Sequence, residues 1–148
     1  GSGRRLEQAA KLGAIPINYR EENVAEKIME YTGGLGVKRV MECSGTPNGV
    51  AQAWGVIARG GCISTISLPK EEVPIPVRKL VLDEIDFVGN RANPNTLEKA
   101  IVLANQHREE LEQLITHEFP MSEYKRAFEI FNGRLDNSLK VIVKPNEE

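Results

Sequence analysis

Two spacings of apolar residues alternate along the first part of the chain. One recurs every three or four residues, as at Val24, Ile28 and Tyr31, and is typical of a helix, with Asn23 and Glu26 in capping-box spacing at its start. The other is a short apolar run bounded by turn residues, which predicts strands at 14–18, 37–43, 62–66 and 85–89. Strands that alternate with helices are typical of βαβ units. The pattern therefore predicts an α/β fold with a parallel sheet and helices on its faces.

The pattern changes after residue 94. A helix is predicted over 97–106, with Asn95 and Glu98 in capping-box spacing, and a short strand follows at 117–119. Ser122 is predicted to cap a further helix, and residues 140–144 form the last predicted strand. We therefore divide the chain into a parallel-sheet domain, residues 1–93, and a small α+β C-terminal segment, residues 94–148.

Composition and charge exclude several classes of protein. Hydrophobic residues make up 41% of the 148 positions and charged residues 27%, which is typical of a folded globular chain. The formal net charge of −2 provides no general attraction to nucleic acid or to anionic membranes. No apolar stretch is long enough to span a bilayer and no signal-peptide pattern opens the chain, so we expect a cytoplasmic protein. Cys43 and Cys62 are expected to be free thiols.

Motifs for metal binding and for phosphate binding are both missing. The two cysteines and two histidines, His107 and His117, do not have the spacing of a zinc site, so no metal ligands are assigned. Residue types alone do not define a nucleophilic pair, so no catalytic residue is assigned either. The pattern Gly-x-Gly-x-x-Gly fails because Arg39 stands where the third glycine would follow Gly34 and Gly36.

Three short loops that follow predicted strand ends carry the candidate ligand site. They are Cys-Ser-Gly at 43–45, Ser-Leu-Pro at 67–69 and Gly-Asn-Arg at 89–91. In an open parallel sheet such loops meet at one edge, which is where ligands of α/β proteins bind. The alternative is that they are ordinary connections between strands and helices, and spacing alone does not decide between the two.

Several segments of the chain, in order and with matching spacing, resemble the zinc-dependent medium-chain dehydrogenases, especially the polyol, threonine and secondary-alcohol dehydrogenases. They lie at 5–14, 32–37 (Thr-Gly-Gly-Leu-Gly-Val), 40–45 (Val-Met-Glu-Cys-Ser-Gly), 59–61, 88–91, 116–120 (Thr-His-Glu-Phe-Pro) and 140–144. The resemblance covers nearly the whole chain. It implies a partial Rossmann-like parallel sheet that lacks its first two strands and its glycine-rich loop, followed by the C-terminal segment that returns to the catalytic domain in the family.

The same resemblance implies the function. The chain is expected to be a cofactor-domain fragment of an NAD(P)-dependent zinc-type alcohol or polyol dehydrogenase, in which a hydride passes between an alcohol and nicotinamide. The family's zinc ligands and phosphate loop have no counterparts here, so the chain is expected to be inactive alone. The alternative is a non-catalytic module that self-associates or binds a nucleotide.

The resemblance also implies which residues contact the dinucleotide. They occupy the three strand-end loops and the first helix: Cys43, Ser44, Gly45, Ile66, Ser67, Leu68, Asn90, Arg91 and Ala92, together with Arg4 and Arg5. Loop 43–45 matches the one beside the adenine and its ribose, and loops 66–68 and 90–92 match those near the nicotinamide carboxamide. Ser2, Arg4 and Arg5 lie near where a 2′-phosphate could be held, which slightly favours NADP over NAD.

An incomplete sheet predicts self-association. In the family's strand order the two missing strands are central, so the strand near Ile15 has no neighbour and the strand near Val40 exposes unpaired backbone groups. We predict a homo-oligomer, most simply a dimer through this edge, or a monomer in which the Ile15 strand docks beside Val40. In the family the strand at 85–89 also pairs across a two-fold axis. No nucleic-acid or membrane partner is expected.

Overall fold

A computed structural model describes residues 3–92 and 95–146. Its helices and strands are α1 (Gly3–Lys11), α2 (Val24–Tyr31), β1 (Val37–Glu42), α3 (Pro47–Val56), β2 (Ile57–Thr65), α4 (Val77–Leu82), β3 (Asp86–Gly89), α5 (Leu97–Gln106), α6 (Arg108–Glu112), β4 (Ile115–Pro120), α7 (Tyr124–Gly133) and β5 (Lys140–Lys144), with 3₁₀ turns at Met121–Glu123 and Leu135–Asn137. Over these ranges every helix is too short or too polar to span a bilayer. The chain packs as two units: Ile17–Pro94, the sheet unit, and Gly1–Pro16 with Asn95–Glu148, the C-terminal unit.

The sheet unit is built on three parallel strands in the order β1-β2-β3. Ile63, in the middle of β2, pairs with Val40 on one side and with Phe87 on the other. A tight hairpin cannot join parallel strands, so α3 connects β1 to β2, and a longer segment that ends in α4 connects β2 to β3. The predicted parallel α/β architecture is therefore confirmed.

Helix α3 supplies much of the hydrophobic core of this unit. Val50, Ala53 and Trp54 lie on one helical face and pack with Ile63 of β2 and with Ile85 just before β3. Because all five side chains are buried, the core holds the strands in register up to their carboxyl ends.

The C-terminal unit contains a second parallel pair, β4 and β5. Helix α7 connects the two strands and packs Ala127 and Ile130 against Phe119, Val141 and Val143. This arrangement confirms the predicted order of strand, helix and strand in the last part of the chain.

Helix α1 belongs to the C-terminal unit, although it lies at the other end of the sequence. Within this unit Gln8 Nε2 donates a hydrogen bond to Gln113 Oε1 over 3.4 Å. The sequence-based division assigned α1 to the first domain; as a statement about domains, the division into 1–93 and 94–148 stays a prediction.

Residues 14–18 form no strand, so the prediction of a strand near Ile15 is wrong. Ile15 is exposed, and Pro16 has no N–H group to donate to a neighbouring strand. Among the described residues β1 pairs only with β2, and residues 14–18 supply no strand that could pair with it. The outer edge of β1 is open over these residues, and association of two copies through it stays a prediction.

Strand β2 begins earlier than predicted, at Ile57 instead of Cys62. Gly60 has a φ of 63°, and the pairing register shifts between Val37 and Arg39, which pair with Ile57 and Cys62. The residues between these two pairs therefore form a bulge. In the sequence the Arg-Gly-Gly segment within this bulge resembles the end of a helix, which is why no strand is predicted before Cys62.

Of three predicted helix caps, only one is confirmed. Asn23 Oδ1 accepts hydrogen bonds from the amides of Ala25 and Glu26 at the start of α2. Asn95 instead has a φ of 54° and lies before the cap position of α5, and Ser122 lies inside a 3₁₀ turn before α7. Both predictions are wrong because asparagine and serine stabilise turns by the same side-chain bonding with which they cap helices.

Candidate functional site

The three strands of the sheet unit end at one edge, and backbone hydrogen bonds tie the loops that follow them. The Ile66 amide donates to the Glu42 carbonyl over 3.0 Å, which joins the loop after β2 to the end of β1. The Asn90 amide donates to the Thr65 carbonyl over 2.9 Å, which joins the loop after β3 to the end of β2. The loops containing residues 43–45, 66–68 and 90–92 therefore follow neighbouring strand ends, as the sequence predicts.

The carboxylate of Glu42, the last residue of β1, holds the first of these loops. Its side chain is only 4% exposed. The Oε1 atom accepts hydrogen bonds from the Ser44 amide over 2.8 Å, the Ser44 hydroxyl over 2.5 Å and the Gly45 amide over 3.2 Å. One carboxylate oxygen thus satisfies three donors of the turn after β1.

The second oxygen of the same carboxylate holds the loop after β2. Glu42 Oε2 accepts hydrogen bonds from the Ser67 hydroxyl and, over 3.4 Å, from the Thr65 hydroxyl. Burial raises the pKa of Glu42, but the hydrogen bonds donated by Ser44, Ser67 and the Gly45 amide outweigh burial and hold that pKa below its ordinary value. Glu42 is therefore an anion at neutral pH, bound by both loops.

An open groove of about 590 Å³ lies between these two loops. It is lined by residues 43–47 and by Ser67, Leu68, Lys70 and Glu71. Gly45 suits this turn because of its φ of 64°, and a Cβ at this position would be in ordinary contact with Ser67 Cβ at 3.4 Å. The groove combines hydroxyl groups, apolar side chains and one charge of each sign.

A glycine in the first turn of α3 keeps room for the Ser44–Glu42 contact. The amide of Gly49 donates to Thr46 Oγ1 over 3.1 Å, which caps the helix. A Cβ on Gly49 would fall directly on Ser44 Oγ and 3.1 Å from Glu42 Oε1. This glycine is therefore needed for space, whereas Gly55 in the same helix is exposed and has open space around it.

We predict opposite effects of alanine at these two glycines. Gly55→Ala should raise the free energy of unfolding by about 0.5–1 kcal/mol, because alanine loses less conformational freedom than glycine in a helix. Gly49→Ala should lower it by about 1–2 kcal/mol, because displacing Ser44 breaks a hydrogen bond to a charged group. Urea unfolding followed by circular dichroism measures both, and a gain in both variants would contradict the proposed crowding at Ser44.

The remaining loop residues are held less tightly. Asn90 Nδ2 donates to Ser64 Oγ over 2.7 Å, so this side chain is bound to β2. Arg91 and Ala92 are exposed, and Ala92 has a φ of 56°. Ile66 and Leu68 are also exposed beyond the end of β2. The structure describes all three loops, and cofactor contact by their residues stays a prediction.

The predicted basic residues, Arg4 and Arg5, belong to the C-terminal unit and not to the sheet unit. Arg4 and Arg5 lie in the first turns of α1, and both are exposed. Ser2, which was grouped with them for a 2′-phosphate, lies outside the described residues. The cluster at Glu42 is built from the sheet unit alone.

No metal site appears among residues 3–92 and 95–146, where no three His, Cys, Asp or Glu side chains come together. His117 instead stacks on Phe119 and shares a hydrogen bond of 2.9 Å with Thr116 Oγ1. The described residues therefore offer no ligand set that fits a zinc ion.

Glu42 is the central residue of this site, and sequence reasoning did not select it. In the sequence analysis Glu42 appears only as part of the segment 40–45, which carries the resemblance to the family. The signal that could have found it is a carboxylate at the last position of a predicted strand, followed closely by serine and glycine whose amides can turn back to it.

Comparison with known proteins places these features in a family. Residues 1–106 match the family model for zinc-binding dehydrogenases. The chain is 28% identical to an alcohol dehydrogenase of Cupriavidus necator, over 99% of this chain and 41% of that protein. It is 32% identical to a sorbitol dehydrogenase of Bacillus subtilis, over 96% of this chain and 41% of that protein. The crystal structure of an alcohol dehydrogenase from Thermotoga maritima has a TM-score of 0.90 and 30% identity, over 99% of this chain and 42% of that one.

The chain spans about two fifths of the length of these relatives. The family model covers most of the chain, including every strand of the sheet unit. The solved structure matches the same parallel α/β fold over nearly the whole chain. The resemblance noted in the sequence is thereby confirmed, and the chain belongs to the zinc-binding dehydrogenase family.

Proposed function

We propose that the chain forms the dinucleotide-binding part of a zinc-type alcohol or polyol dehydrogenase that uses NAD or NADP. The observation that carries this proposal is the meeting of two strand-end loops on the Glu42 carboxylate, which leaves an open groove at the carboxyl edge of a parallel sheet. The relatives named for alcohol and sorbitol support an alcohol as the substrate class. A bound nicotinamide would supply the carbon that exchanges a hydride with the alcohol, which no side chain offers.

The groove residues fit the nucleoside parts of such a cofactor. Leu68, which is 84% exposed, and Pro47 offer apolar surface against which a ring can pack. Thr46 and Ser67 place hydroxyl oxygens along the same groove, and Lys70 adds a positive charge. We assign binding and orientation of the nucleotide to these residues, and to Asn90 in the loop after β3.

The choice between NAD and NADP concerns Arg4 and Arg5. Arginine holds phosphate groups in a bidentate fork, and both side chains are exposed on α1. On this basis we propose a slight preference for NADP. The two cofactors differ by the 2′-phosphate alone, so parallel titrations measure this preference directly.

The test is calorimetric titration of the chain with NADH and with NADPH, together with two leucine variants. We predict that Leu68→Ala weakens binding about five- to tenfold, because the ligand loses part of its apolar cover. Leu35→Ala is the matched control: Leu35 is 78% exposed in the same unit and does not line the groove, so binding should be unchanged.

Two outcomes would count against the proposal. No heat with either cofactor, from a chain that is folded by circular dichroism, would reject nucleotide binding. Equal affinity of the Leu68 and Leu35 variants would place the nucleotide elsewhere. A second candidate, a self-associating module, is favoured by the open edge of β1 among the described residues, and sedimentation velocity on the same samples would show the dimer that it requires.

A further inference from the structure

The hydroxyl protons around the groove all point away from it, because each is used inside the hydrogen-bond network of Glu42. Ser67 has one hydroxyl proton and donates it to Glu42 Oε2. Ser44 likewise donates its single proton to Glu42 Oε1 over 2.5 Å. An ionised carboxylate can only accept hydrogen bonds, so it fixes the direction of both.

The orientation of the Ser44 hydroxyl also determines the direction in which the Thr46 hydroxyl donates its hydrogen bond. Thr46 Oγ1 lies 3.0 Å from Ser44 Oγ, and since the Ser44 proton is already committed to Glu42, Thr46 must be the donor of this bond. Thr46 Oγ1 in turn accepts from the Gly49 amide over 3.1 Å. The chain of bonds runs in one direction from Gly49 through Thr46 and Ser44 to the carboxylate.

The groove therefore meets hydroxyl oxygens as acceptors and not as donors. Ser67 and Thr46 both line the groove, and in the bonds described Ser67 Oγ keeps both lone pairs and Thr46 Oγ1 keeps one. A phosphate offers only acceptors and carries the same charge sign as the buried carboxylate, so this rim disfavours it. A sugar hydroxyl or a ring amino group offers the donors that the rim lacks.

We propose that Glu42 is a positioning and specificity-determining residue, which holds two loops together and polarises their hydroxyls so that the groove takes an uncharged, hydrogen-bond-donating part of a nucleotide. This inference rests on the proposed nucleotide binding for its ligand. Its structural half, the loop positioning, stands on the contacts of Glu42 alone.

The experiment compares Glu42→Gln with Glu71→Gln in the full 148-residue chain. Glutamine keeps one acceptor oxygen but replaces the other with an amide that donates, so one of the two loops loses its acceptor. The bonds that remain end on a neutral oxygen and are weaker than bonds to a carboxylate. Glu71 lines the same groove and is exposed, so its variant removes an equal charge without touching these bonds. Two readouts are measured: amide hydrogen exchange at Ser44 and Gly45, and the NADH affinity by calorimetry.

We expect Glu42→Gln to speed exchange at both amides and to weaken NADH binding about tenfold. Glu71→Gln, which removes a negative charge from the groove lining, should leave the exchange unchanged and should not weaken the binding of the anionic NADH. Equal losses of NADH affinity in the two variants would overturn the proposal, because the negative charge alone would then explain the effect. Unchanged amide exchange in Glu42→Gln would overturn the positioning role, whether or not the wild type binds a nucleotide. Absence of nucleotide binding by the wild type would contradict the proposed function and not the positioning role.

The Ser67→Ala variant, which leaves Glu42 in place, and two probe ligands, adenosine and inorganic pyrophosphate, complete the test. Ser67→Ala removes one acceptor while Glu42 keeps its bonds to Ser44 and Gly45, so it should weaken NADH binding without faster exchange at those two amides. Amide chemical shifts of Thr46 and Ser67 should respond to adenosine and not to inorganic pyrophosphate. A response to pyrophosphate alone would overturn the acceptor-only rim.

Discussion

Trp54→Ala should lower the free energy of unfolding by about 3–5 kcal/mol, the range found for truncating large buried aromatic side chains. Trp54 is 5% exposed and lies in the middle of the core that joins α3 to the sheet. Its ring centroid lies 5.3 Å from that of Phe87 on β3, so the variant loses an aromatic pair as well as buried area. The loss is a large share of the total stability of an ordinary domain. Urea unfolding followed by circular dichroism measures it.

Trp54→Phe is the control that separates ring volume from polar chemistry. Within the described part of the chain the indole Nε1 is buried without a hydrogen-bond partner, so replacing it breaks no hydrogen bond. Phenylalanine also keeps a ring beside Phe87. We expect a loss below about 1.5 kcal/mol, since the smaller ring removes some buried area and also removes an unpaired donor. Equal losses for phenylalanine and alanine would mean that the indole nitrogen has a partner.

Gly36→Ala should be the second most damaging of these substitutions, with a loss of about 2–4 kcal/mol. Gly36 has a φ of 74°, which costs alanine about 1–2 kcal/mol by itself. A Cβ here would also lie 2.5 Å from the Val56 carbonyl oxygen and 3.2 Å from the Ala58 amide. Both are backbone atoms beside the first pairing of β1 with β2, so the strands must move apart to make room.

Gly34→Ala separates the two costs of this substitution. Gly34 has a φ of 82° and nothing within 4 Å of a Cβ, so alanine meets only the backbone cost there. Its expected loss is about 1 kcal/mol. The difference between the two variants in the same unfolding measurement is the cost of the close approach. If both variants lose the same stability, the backbone at Val56, where α3 ends, moves easily and the approach is not tight.

The parallel sheet could be predicted from sequence because its signals are local. The runs at 37–43 and 85–89 are short and bounded by turn residues, and the helix between Pro47 and Val56 follows a cap at Thr46. The end of each predicted strand fixes where the following loop begins. The segments 43–45, 67–69 and 89–91 could therefore be placed at the carboxyl edge of the sheet from the sequence alone. The bulge in β2 could not, since Gly60 and Gly61 resemble a helix end.

The organisation of the site was beyond sequence reasoning for a different reason. The burial of Glu42 depends on hydroxyls at Ser44, Thr65 and Ser67, two of which belong to another strand and its loop. A glutamate at a strand end is ordinarily exposed, and only the register of β1 against β2 places donors on both of its oxygens. The strand predicted near Ile15 failed because local composition cannot show whether a pairing partner exists.

The uniform separation of strand partners has a consequence for how the chain folds. Ile63 pairs with Val40 and with Phe87, and Phe119 pairs with Val143, and in every described pair the partners lie 20 to 25 positions apart in the sequence. No two strands can therefore pair until an entire crossover has closed. The chain loses the conformational entropy of that closure before the hydrogen bonds between the strands stabilise it. Folding of both units must begin in their helices and turns, and the edge that bears Glu42 is assembled only after the crossover through α3 has closed.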